Sequence, residues 1–251
     1  MIITGNALIS VEEKDIVDGV LQIPEGIITI EKFACSGCQE RIKKNVFPSS
    51  VKKIKKYAFL RTAIRDLIIP ESVEEIEEEA FMECRDLKYI YWPSSVPYME
   101  NYMFLGCQNL LEVHFPDGMK MIGHRAFMSC KKLKKVSLPD SIEWLGFGAF
   151  YGCELLEFIS LSKEIRGFYT DTFAGCKNLT FLQYGRNQCS IKAKEEGFSF
   201  LEPTVLQTKD FLGYDMQGHY FLQYQDIISV GKDRDAAARQ IDRLFRIKNC
   251  S

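Results

Sequence analysis

FPDGMKMIGHRAFMSCKKLKKVSL, residues 115–138, is followed by LPDSIEWLGFGAFYGCELLEFISL, residues 138–161, and the two stretches carry one pattern in the same order and spacing. Each has a proline at its start, an alanine-phenylalanine pair near its middle and a cysteine shortly beyond that phenylalanine. A fixed period matters because one such unit cannot bury its own apolar face, whereas stacked copies build a continuous core. The stretch therefore predicts a solenoid of stacked repeats.

The pattern extends over seven passes when each pass is counted from its proline. The passes begin at Pro24, Pro48, Pro70, Pro93, Pro116, Pro139 and Ser162, so they are nearly equal in length. Positions 4 and 7 are apolar, and position 12 is aromatic in six passes: Phe59, Phe81, Phe104, Phe127, Phe150 and Phe173. Position 15 is a cysteine in six passes: Cys38, Cys84, Cys107, Cys130, Cys153 and Cys176. Each set predicts one buried column.

Local signals place a strand and two turns in each pass. The L-x-x-V-x-L segment alternates with period two in its last part, which is typical of a strand. Proline follows because it fixes φ and donates no N–H, and a serine or glycine shortly after it favours a turn. The A-F-x-x-C stretch predicts a short helical turn that closes the coil.

The unit L-x-x-V-x-L-P-x-S-V-x-x-I-G-x-x-A-F-x-x-C-x-x-L resembles the BspA-like bacterial leucine-rich repeat over residues 20–200. The resemblance implies an α/β solenoid: a right-handed leucine-rich-repeat superhelix with one parallel sheet, short helical turns on the other side and capped ends. It also implies recognition of proteins or surfaces, including adhesin roles, and no catalytic residues. The sequence departs from the pattern at Cys35, which replaces a phenylalanine, and near Thr62, where one residue is missing. Met103 and Thr172 replace alanine.

Three parts of the chain are expected. Residues 1–23 alternate loosely and predict one or two strands in an N-terminal cap, because the first repeat would otherwise expose its apolar face. Residues 24–185 hold seven leucine-rich repeats, and residues 186–251 are expected to form a C-terminal cap. The elements predicted there are a helix (190–196), a strand (198–200), a hairpin (211–224) and an amphipathic helix (233–248). A separate interaction or oligomerisation element is the alternative.

Composition argues against several classes of protein. The net charge is −2, so no basic footprint for nucleic acid is present. The sequence has no apolar span long enough to cross a bilayer, and its first residues lack the basic and apolar regions of a secretory signal. We therefore expect a cytoplasmic chain with no membrane span. The cell surface is the alternative location, because many members of the family that the chain resembles are exported.

The nine cysteines are interpreted as structural. Cys35 and Cys38 form a C-x-x-C, but both lie in repeat columns and no second pair or nearby histidine completes a zinc site. Thiols in register on neighbouring strands keep their Cβ atoms about 4.8 Å apart, too far for easy disulfide closure. Unpaired thiols also suit a reducing compartment. We expect buried free thiols and no bound metal.

No reaction centre is marked in the sequence. His114, His124 and His219 are scattered, and no nucleophile elbow, H-E-x-x-H, P-loop or dinucleotide fingerprint occurs. The acidic run between Glu74 and Glu79 is interpreted as a solvated outer face rather than a metal site. The sequence thus predicts no enzyme and no cofactor, with an enzyme that lacks a recognisable motif as the alternative.

The exposed side of the parallel sheet is the predicted binding surface. Its outward positions vary from pass to pass while the buried columns keep one residue type, and exposed aromatics are favoured interface anchors. The candidate partner-binding residues are Tyr89, Tyr91, Glu112, His114, Lys135, Phe158 and Phe181. The alternative for these residues is ordinary cross-strand stacking, or cover from the C-terminal segment.

The function expected from these features is a non-catalytic, monomeric recognition scaffold that binds a protein or peptide partner and no nucleic acid. A structural or self-associating module is the alternative. An adhesin-like surface-recognition protein is a further alternative if the chain is exported. A glycan in place of the protein partner is also compatible with the residues.

Overall fold

The computed structural model of this chain describes residues 1–162, 164–165 and 167–183, with three further strands at 199–201, 211–214 and 220–222. Within residues 24–183 most passes form one coil that contributes a short strand and then a slightly longer one. The strands are β1 (Ile2–Thr4), β2 (Ala7–Ser10), β3 (Ile16–Val17), β4 (Val20–Gln22), β5 (Thr29–Ile30), β6 (Lys44–Val46), β7 (Lys53–Ile54), β8 (Asp66–Ile68), β9 (Glu75–Ile76), β10 (Tyr89–Tyr91), β11 (Tyr98–Met99), β12 (Glu112–His114), β13 (Met121–Ile122), β14 (Lys135–Ser137), β15 (Trp144–Leu145), β16 (Phe158–Leu161), β17 (Gly167–Phe168), β18 (Thr180–Gln183), β19 (Ser199–Leu201), β20 (Phe211–Tyr214) and β21 (Tyr220–Leu222).

Two stacks of parallel strands run along the coils. The short-strand stack contains β2-β5-β7-β9 and then β11-β13-β15-β17, and the long-strand stack contains β4-β6, β8-β10-β12 and β14-β16-β18-β19. Single backbone bonds continue across the breaks, such as the Glu79 N–H that donates to the Asn101 carbonyl at 3.1 Å. The predicted parallel solenoid is confirmed. The expectation of one sheet is wrong, because positions 6 and 7 of each pass also pair between coils.

The A-F-x-x-C stretches form turns rather than the short helical turns predicted. Of the three 3-10 helices in the described chain (Glu13–Asp15, Gln39–Arg41 and Thr170–Phe173), the last alone lies on such a stretch. Elsewhere alternate N–H groups are committed to the next coil: Phe127, for example, donates to the Ala149 carbonyl at 2.8 Å, whereas Met128 donates within its own turn to the Arg125 carbonyl at 3.2 Å. Arg125 and Ser129 also adopt left-handed φ angles of 52° and 62°. Both features interrupt a helix, since its bonds need the same donors and right-handed backbone.

The N-terminal segment contains four strands, not the one or two predicted. β1 pairs antiparallel with β2, and β3 pairs antiparallel with β4. The second hairpin turns at Asp18 and Gly19, whose φ angles of 51° and 80° suit a tight Asp-Gly turn. β2 and β4 then pair in parallel with β5 and β6, so each hairpin extends one stack. Leu8 and Leu21 are fully buried and belong to the core.

The position-12 phenylalanines form the central column of the core. All six are at most 1% exposed. Neighbouring rings are stacked with centroids 5.3 to 5.8 Å apart and interplanar angles of 4° to 14°. This separation slightly exceeds the spacing of adjacent strands, about 4.8 Å. One aromatic per coil therefore fills the interior without a gap between the layers.

The position-15 cysteines form a second column, and their thiols make hydrogen bonds to buried backbone carbonyls. In five coils the thiol donates to the carbonyl of the preceding coil's phenylalanine, for example from Cys153 to Phe127 at 3.2 Å and from Cys107 to Phe81 at 3.5 Å. Thr62 takes this position in the second pass, and its hydroxyl donates to the Phe59 carbonyl at 3.0 Å. Cysteine suits the position because its small side chain satisfies a buried carbonyl.

Burial suppresses ionisation of these thiols. It raises the pKa of Cys84 and Cys176 to about 12, and it raises the pKa of Cys130 well above its ordinary value. The seven described cysteines are all free and buried. Cys189 and Cys250 lie outside the described residues.

We expect the seven described cysteines to resist modification in the native protein, because the reactive thiolate is suppressed and each sulfur is shielded from solvent. All nine cysteines should react once the chain is unfolded in denaturant. Reaction with a thiol reagent, followed by peptide mass mapping, measures this at each site. Ser94→Cys provides a control at an exposed turn and should react at once. Rapid native-state labelling of the column cysteines would contradict the prediction.

Some C-terminal predictions fall within the described strands. β19 pairs in parallel with β18, one residue beyond the strand predicted at 198–200, which confirms a further strand in the stack. β20 and β21 pair antiparallel within the predicted hairpin at 211–224. The turn of that hairpin and the two predicted helices, at 190–196 and 233–248, lie outside the described residues.

Candidate binding surface

The outer face of the long-strand stack holds most of the residues predicted to bind a partner. In β8, β10 and β12 the middle residue is buried in the core and the residues on either side point outward. Two outward rows cross these strands. The first row is Asp66, Tyr89 and Glu112, and the second is Ile68, Tyr91 and His114. The candidate residue Lys135 is half-buried at the start of the next strand, β14.

The second row is an apolar strip. The rings of Tyr91 and His114 are stacked, with centroids 4.5 Å apart and an interplanar angle of 2°. Ile68, on the next strand, is 65% exposed, and Tyr91 is 38% exposed. Ile68 was not among the binding residues predicted from the sequence. Its outward position next to Leu67, which lies in the buried column, was the signal available.

The first row places carboxylates beside the strip. Partial burial, together with the nearby Glu112 and Asp66 carboxylates, raises the pKa of Tyr91. The Tyr91 phenol therefore stays protonated and can donate a hydrogen bond. His114 Nε2 lies 3.6 Å from Glu112 Oε1. The surface thus combines an apolar strip with acceptor groups along one side.

Two candidate residues are not exposed as expected. Phe181 was expected on the outer face, but it is fully buried and packs its ring against Phe173 at 5.1 Å. The cause is a change of register: Lys135 pairs with Phe158, one full repeat later, whereas Phe158 pairs with Thr180, one residue short of a full repeat. A shift of one residue turns every side chain of a strand to the opposite face. Phe181 therefore lies inward, level with Ile159.

Phe158 keeps its outward register beside Lys135 but is only 3% exposed. It stands outside the main core cluster, so its ring is covered on the outer face. Such cover is favourable because burial of a phenylalanine side chain contributes about 1.5–3 kcal/mol. The expectation that Phe158 is an exposed anchor is wrong.

The outer face of the short-strand stack begins as a charged surface. Each acidic residue of the run between Glu74 and Glu79 pairs with a lysine one coil earlier. The pairs are Lys52–Glu74 and Lys53–Glu75 at 2.8 Å, Lys55–Glu77 and Lys56–Glu78 at 2.7 Å, and Lys56–Glu79 at 3.0 Å. The run is therefore neutralised between coils as well as facing outward. Exposed pairs contribute little stability each, roughly 0–1 kcal/mol, but this row favours one register of the two coils.

The same face becomes aromatic after the third pass. Position 6 is Thr29, Lys53 and Glu75 in the first three passes, and Tyr98, Met121 and Trp144 in the next three. Tyr98 is 53% exposed and Trp144 is 45% exposed. Exposed apolar surface of this kind marks interaction sites more often than ordinary surface does.

A cavity of about 260 Å³ opens beside these residues. We call it the aromatic groove. Its lining residues are Asn101, Met121, Ile122, Gly123, His124, Trp144, Leu145, Gly146 and Tyr169. Position 8 differs beside the groove: it is Glu31, Lys55, Glu77 and Glu100 in the earlier passes and glycine in passes five and six. The charged side chains of the earlier passes are therefore missing here, and the backbones of successive coils lie too close for a Cβ.

The rings around the groove are in contact but are not stacked face to face. Trp144 and Tyr169 are tilted by 36° with centroids 6.5 Å apart, and His124 and Tyr169 are tilted by 53° at 5.9 Å. Tyr169, like Trp144, is 45% exposed. Nearly half of each of these two side chains is therefore accessible to a ligand.

Two polar side chains in the groove are fixed by bonds between coils. The His124 backbone N–H donates to Asn101 Oδ1 at 2.8 Å, and the Phe147 backbone N–H donates to His124 Nδ1 at 2.8 Å. A neutral imidazole that accepts at Nδ1 carries its proton on Nε2. The Asn101 amide and His124 Nε2–H thus remain as donors, since neither donates to another residue in the described part of the chain.

The groove was not predicted from the sequence. Position 8 was taken as part of the repeat pattern, and the binding surface was expected on the long strands alone. The loss of charge at position 6 after pass three and at position 8 after pass four was visible in the sequence. The sequence did not show that positions 6 and 7 pair into a second stack. That pairing brings Tyr98, Met121 and Trp144 into one row.

In the described ranges, no group of three or more His, Cys, Asp or Glu side chains is arranged to hold a metal ion. Nor do these ranges contain a helix of the length and apolar character needed to cross a bilayer.

The coils, their columns of one residue type and their parallel stacks define a leucine-rich-repeat scaffold. A family model described as the BspA type leucine rich repeat region matches residues 19–123 and 74–199, in 6 copies. The chain belongs to this family, which confirms the resemblance seen in the sequence.

Solved structures of bacterial leucine-rich repeat proteins are similar to this chain. The protein from Eubacterium ventriosum is 26% identical with a TM-score of 0.63, and the match covers 68% of this chain and 46% of that protein. The protein from Bacteroides ovatus is 24% identical with a TM-score of 0.58, covering 73% of this chain and 54% of that one. The protein from T. pallidum is 23% identical with a TM-score of 0.57, covering 76% and 97%.

The likenesses to the proteins from Bacteroides ovatus and T. pallidum show a shared fold alone, because their identity to this chain is low. This chain spans about half the length of the proteins from Eubacterium ventriosum and Bacteroides ovatus. A comparison with curated proteins found no match.

Proposed function

We propose that the chain is a non-catalytic recognition scaffold that binds a protein or peptide partner through the outer face of the long-strand stack. The observation that carries this proposal is the apolar strip of Ile68, Tyr91 and His114 on three adjacent strands, in which Ile68 and Tyr91 are exposed and His114 is half-buried. An exposed isoleucine beside an exposed tyrosine forms a small apolar patch, and exposed apolar patches mark interaction sites. Aromatic side chains are enriched among the residues that contribute most of the binding energy at an interface.

The geometry supports a pre-organised surface. β8, β10 and β12 are held in register by backbone hydrogen bonds, and the Tyr91 ring is further restrained by its stacking on His114. Side chains that are already ordered lose less entropy when a partner binds. Little binding free energy is therefore lost in ordering the strip.

The charges beside the strip suggest the chemistry of the partner. Asp66 and Glu112 flank Tyr89 in the neighbouring row. An apolar side chain placed on Ile68 and Tyr91 would bring an adjacent basic group within reach of these carboxylates. We infer a partner segment that combines apolar and basic residues. The location of the chain in the cell stays a prediction.

Tyr91→Ser is expected to weaken partner binding more than tenfold while the chain stays folded, because it removes an interface aromatic, worth about 2 kcal/mol or more, and no core residue. A partner recovered from the source cell is first expressed alone, and its dissociation constant for each variant is then measured by calorimetry. Tyr151→Ser is the matched control. Tyr151 is 44% exposed but lies in an A-F-x-x-C turn, away from the strip, so its loss should change affinity less than twofold.

Equal affinities for the two variants would rule out the strip as the binding surface. Light scattering at several concentrations tests the competing interpretation. A concentration-dependent dimer that Tyr91→Ser abolishes would assign the strip to self-association instead of a foreign partner.

A further inference from the structure

We propose that the aromatic groove is a second binding site and that its ligand is an uncharged saccharide. The groove belongs to the short-strand stack, whereas the proposed protein-binding strip belongs to the long-strand stack. The two sites share no residue. The proposal therefore goes beyond the function proposed above and does not depend on it.

The lining of the groove selects for an uncharged ligand. No charged side chain lines it in the part of the chain that the structure describes. Desolvation of an ionic group against tryptophan, tyrosine and methionine would be costly without a counter-charge. The earlier passes present Lys53 and Glu75 on the same row, so the absence of charge is specific to this end of the stack.

The polar groups of the groove select against a purely apolar ligand. The Asn101 amide and His124 Nε2–H are donors held in place by their bonds to the next coils. A hydrocarbon side chain that covered them would leave both donors unpaired, at a cost of about 1–3 kcal/mol each. A ligand that carries hydroxyl or ring oxygens satisfies them.

A pyranose ring meets both requirements at once. One face of such a ring presents C–H groups, which are attracted to the negatively charged face of an aromatic ring. Its edge presents hydroxyls. Trp144 and Tyr169 offer two tilted rings that are each 45% exposed, and Tyr98 lies two strands along the row of Trp144. The volume of about 260 Å³ is at or below the ~300–1,000 Å³ of sites for drug-sized molecules, so it suits one or two sugar units of a longer chain.

The groove is also rigid. An added Cβ at Gly123 would lie 2.7 Å from the Glu100 carbonyl carbon, and one at Gly146 would lie 2.5 Å from the Gly123 carbonyl carbon. The backbone of each coil therefore rests directly on that of the preceding coil. A sugar would bind to a surface that does not have to be reorganised first.

Tryptophan fluorescence provides a direct test on the whole chain. Of the two tryptophans, Trp92 is 4% exposed, whereas Trp144 is 45% exposed, so a ligand in the groove should change the emission of Trp144. The probes are neutral hexasaccharides of β-1,4-glucose, α-1,4-glucose, mannose, galactose and N-acetylglucosamine. We expect a saturable change with at least one of them at or below millimolar concentration.

Calorimetry with that saccharide then compares variants. Trp144→Ala is expected to weaken binding at least tenfold, and Tyr151→Ala, at a similarly exposed position outside the groove, less than twofold. Tyr169→Ala serves as a second groove variant if Trp144→Ala fails to fold, as judged by its thermal midpoint. Loss of binding in the groove variants alone would support the assignment.

Three results would overturn it. The first is that none of the five saccharides saturates at millimolar concentration. The second is binding that survives both Trp144→Ala and Tyr169→Ala. The third is that an uncharged aromatic peptide, N-acetyl-tryptophan amide, binds with dependence on Trp144 while the saccharides do not, which would make the groove a peptide site.

Discussion

Replacing Phe127 by alanine is expected to lower the free energy of unfolding by about 3–5 kcal/mol. Phe127 is fully buried, and its ring is stacked between Phe104 at 5.5 Å and Phe150 at 5.4 Å. Its edge also meets Phe115 at 6.0 Å. The coils above and below are joined by backbone hydrogen bonds, so they cannot move together to close the cavity. We therefore expect the full loss of stability that an unfilled cavity causes.

Urea denaturation followed by circular dichroism measures this effect. Lys131→Ala is the control within the same turn, because Lys131 is exposed and pairs with Glu154 at 3.0 Å on the surface. An exposed pair contributes about 1 kcal/mol at most. Indistinguishable midpoints for the two variants would show that the phenylalanine column does not carry the core.

Gly146→Ala is expected to lower the free energy of unfolding by about 1–3 kcal/mol although it adds only one methyl group. The new Cβ would lie 2.5 Å from the Gly123 carbonyl carbon and 2.5 Å from the His124 nitrogen. Both are backbone atoms, which cannot rotate away as a side chain can. The two coils would have to separate, and that would stretch the bond from the Gly146 N–H to the Ile122 carbonyl, now 2.8 Å.

Gly37→Ala is the matched control for this substitution. An added Cβ at Gly37 would meet nothing closer than the Val11 carbonyl oxygen at 3.9 Å, and neither glycine has a left-handed φ. Its stability should be unchanged or slightly raised, since alanine restricts the unfolded chain. Thermal and urea unfolding of both variants give the comparison. A Gly146→Ala protein as stable as the Gly37→Ala protein would show that the coils do not touch at this point.

The register of the last described coil shows where the sequence pattern was insufficient. Counting from Leu179 predicts that Phe181 points outward, and the buried columns at Phe173 and Cys176 keep their regular spacing up to that point. The strand pairing then falls one residue short of a full repeat, and Phe181 enters the core. Phe181 and Leu182 are both apolar, so the alternation of residue types in this strand does not show which of its faces is buried.

The sequence by itself determined the columns. A residue type that recurs at one period must occupy one layer position in a stack, so Phe127, Cys130 and their equivalents could be assigned to the core without coordinates. The same logic predicted the parallel strands and supported the family resemblance.

Tertiary structure alone decided which outward residues meet. Tyr91 reaches His114, Lys56 reaches Glu78, and Trp144 reaches Tyr169 because strands pair between coils, which brings together residues about one repeat apart in sequence. These contacts depend on register to within one residue. The period of the repeat fixes register only where every coil has the same length, so the sequence could assign the layers of the core but not the pairs on its surface.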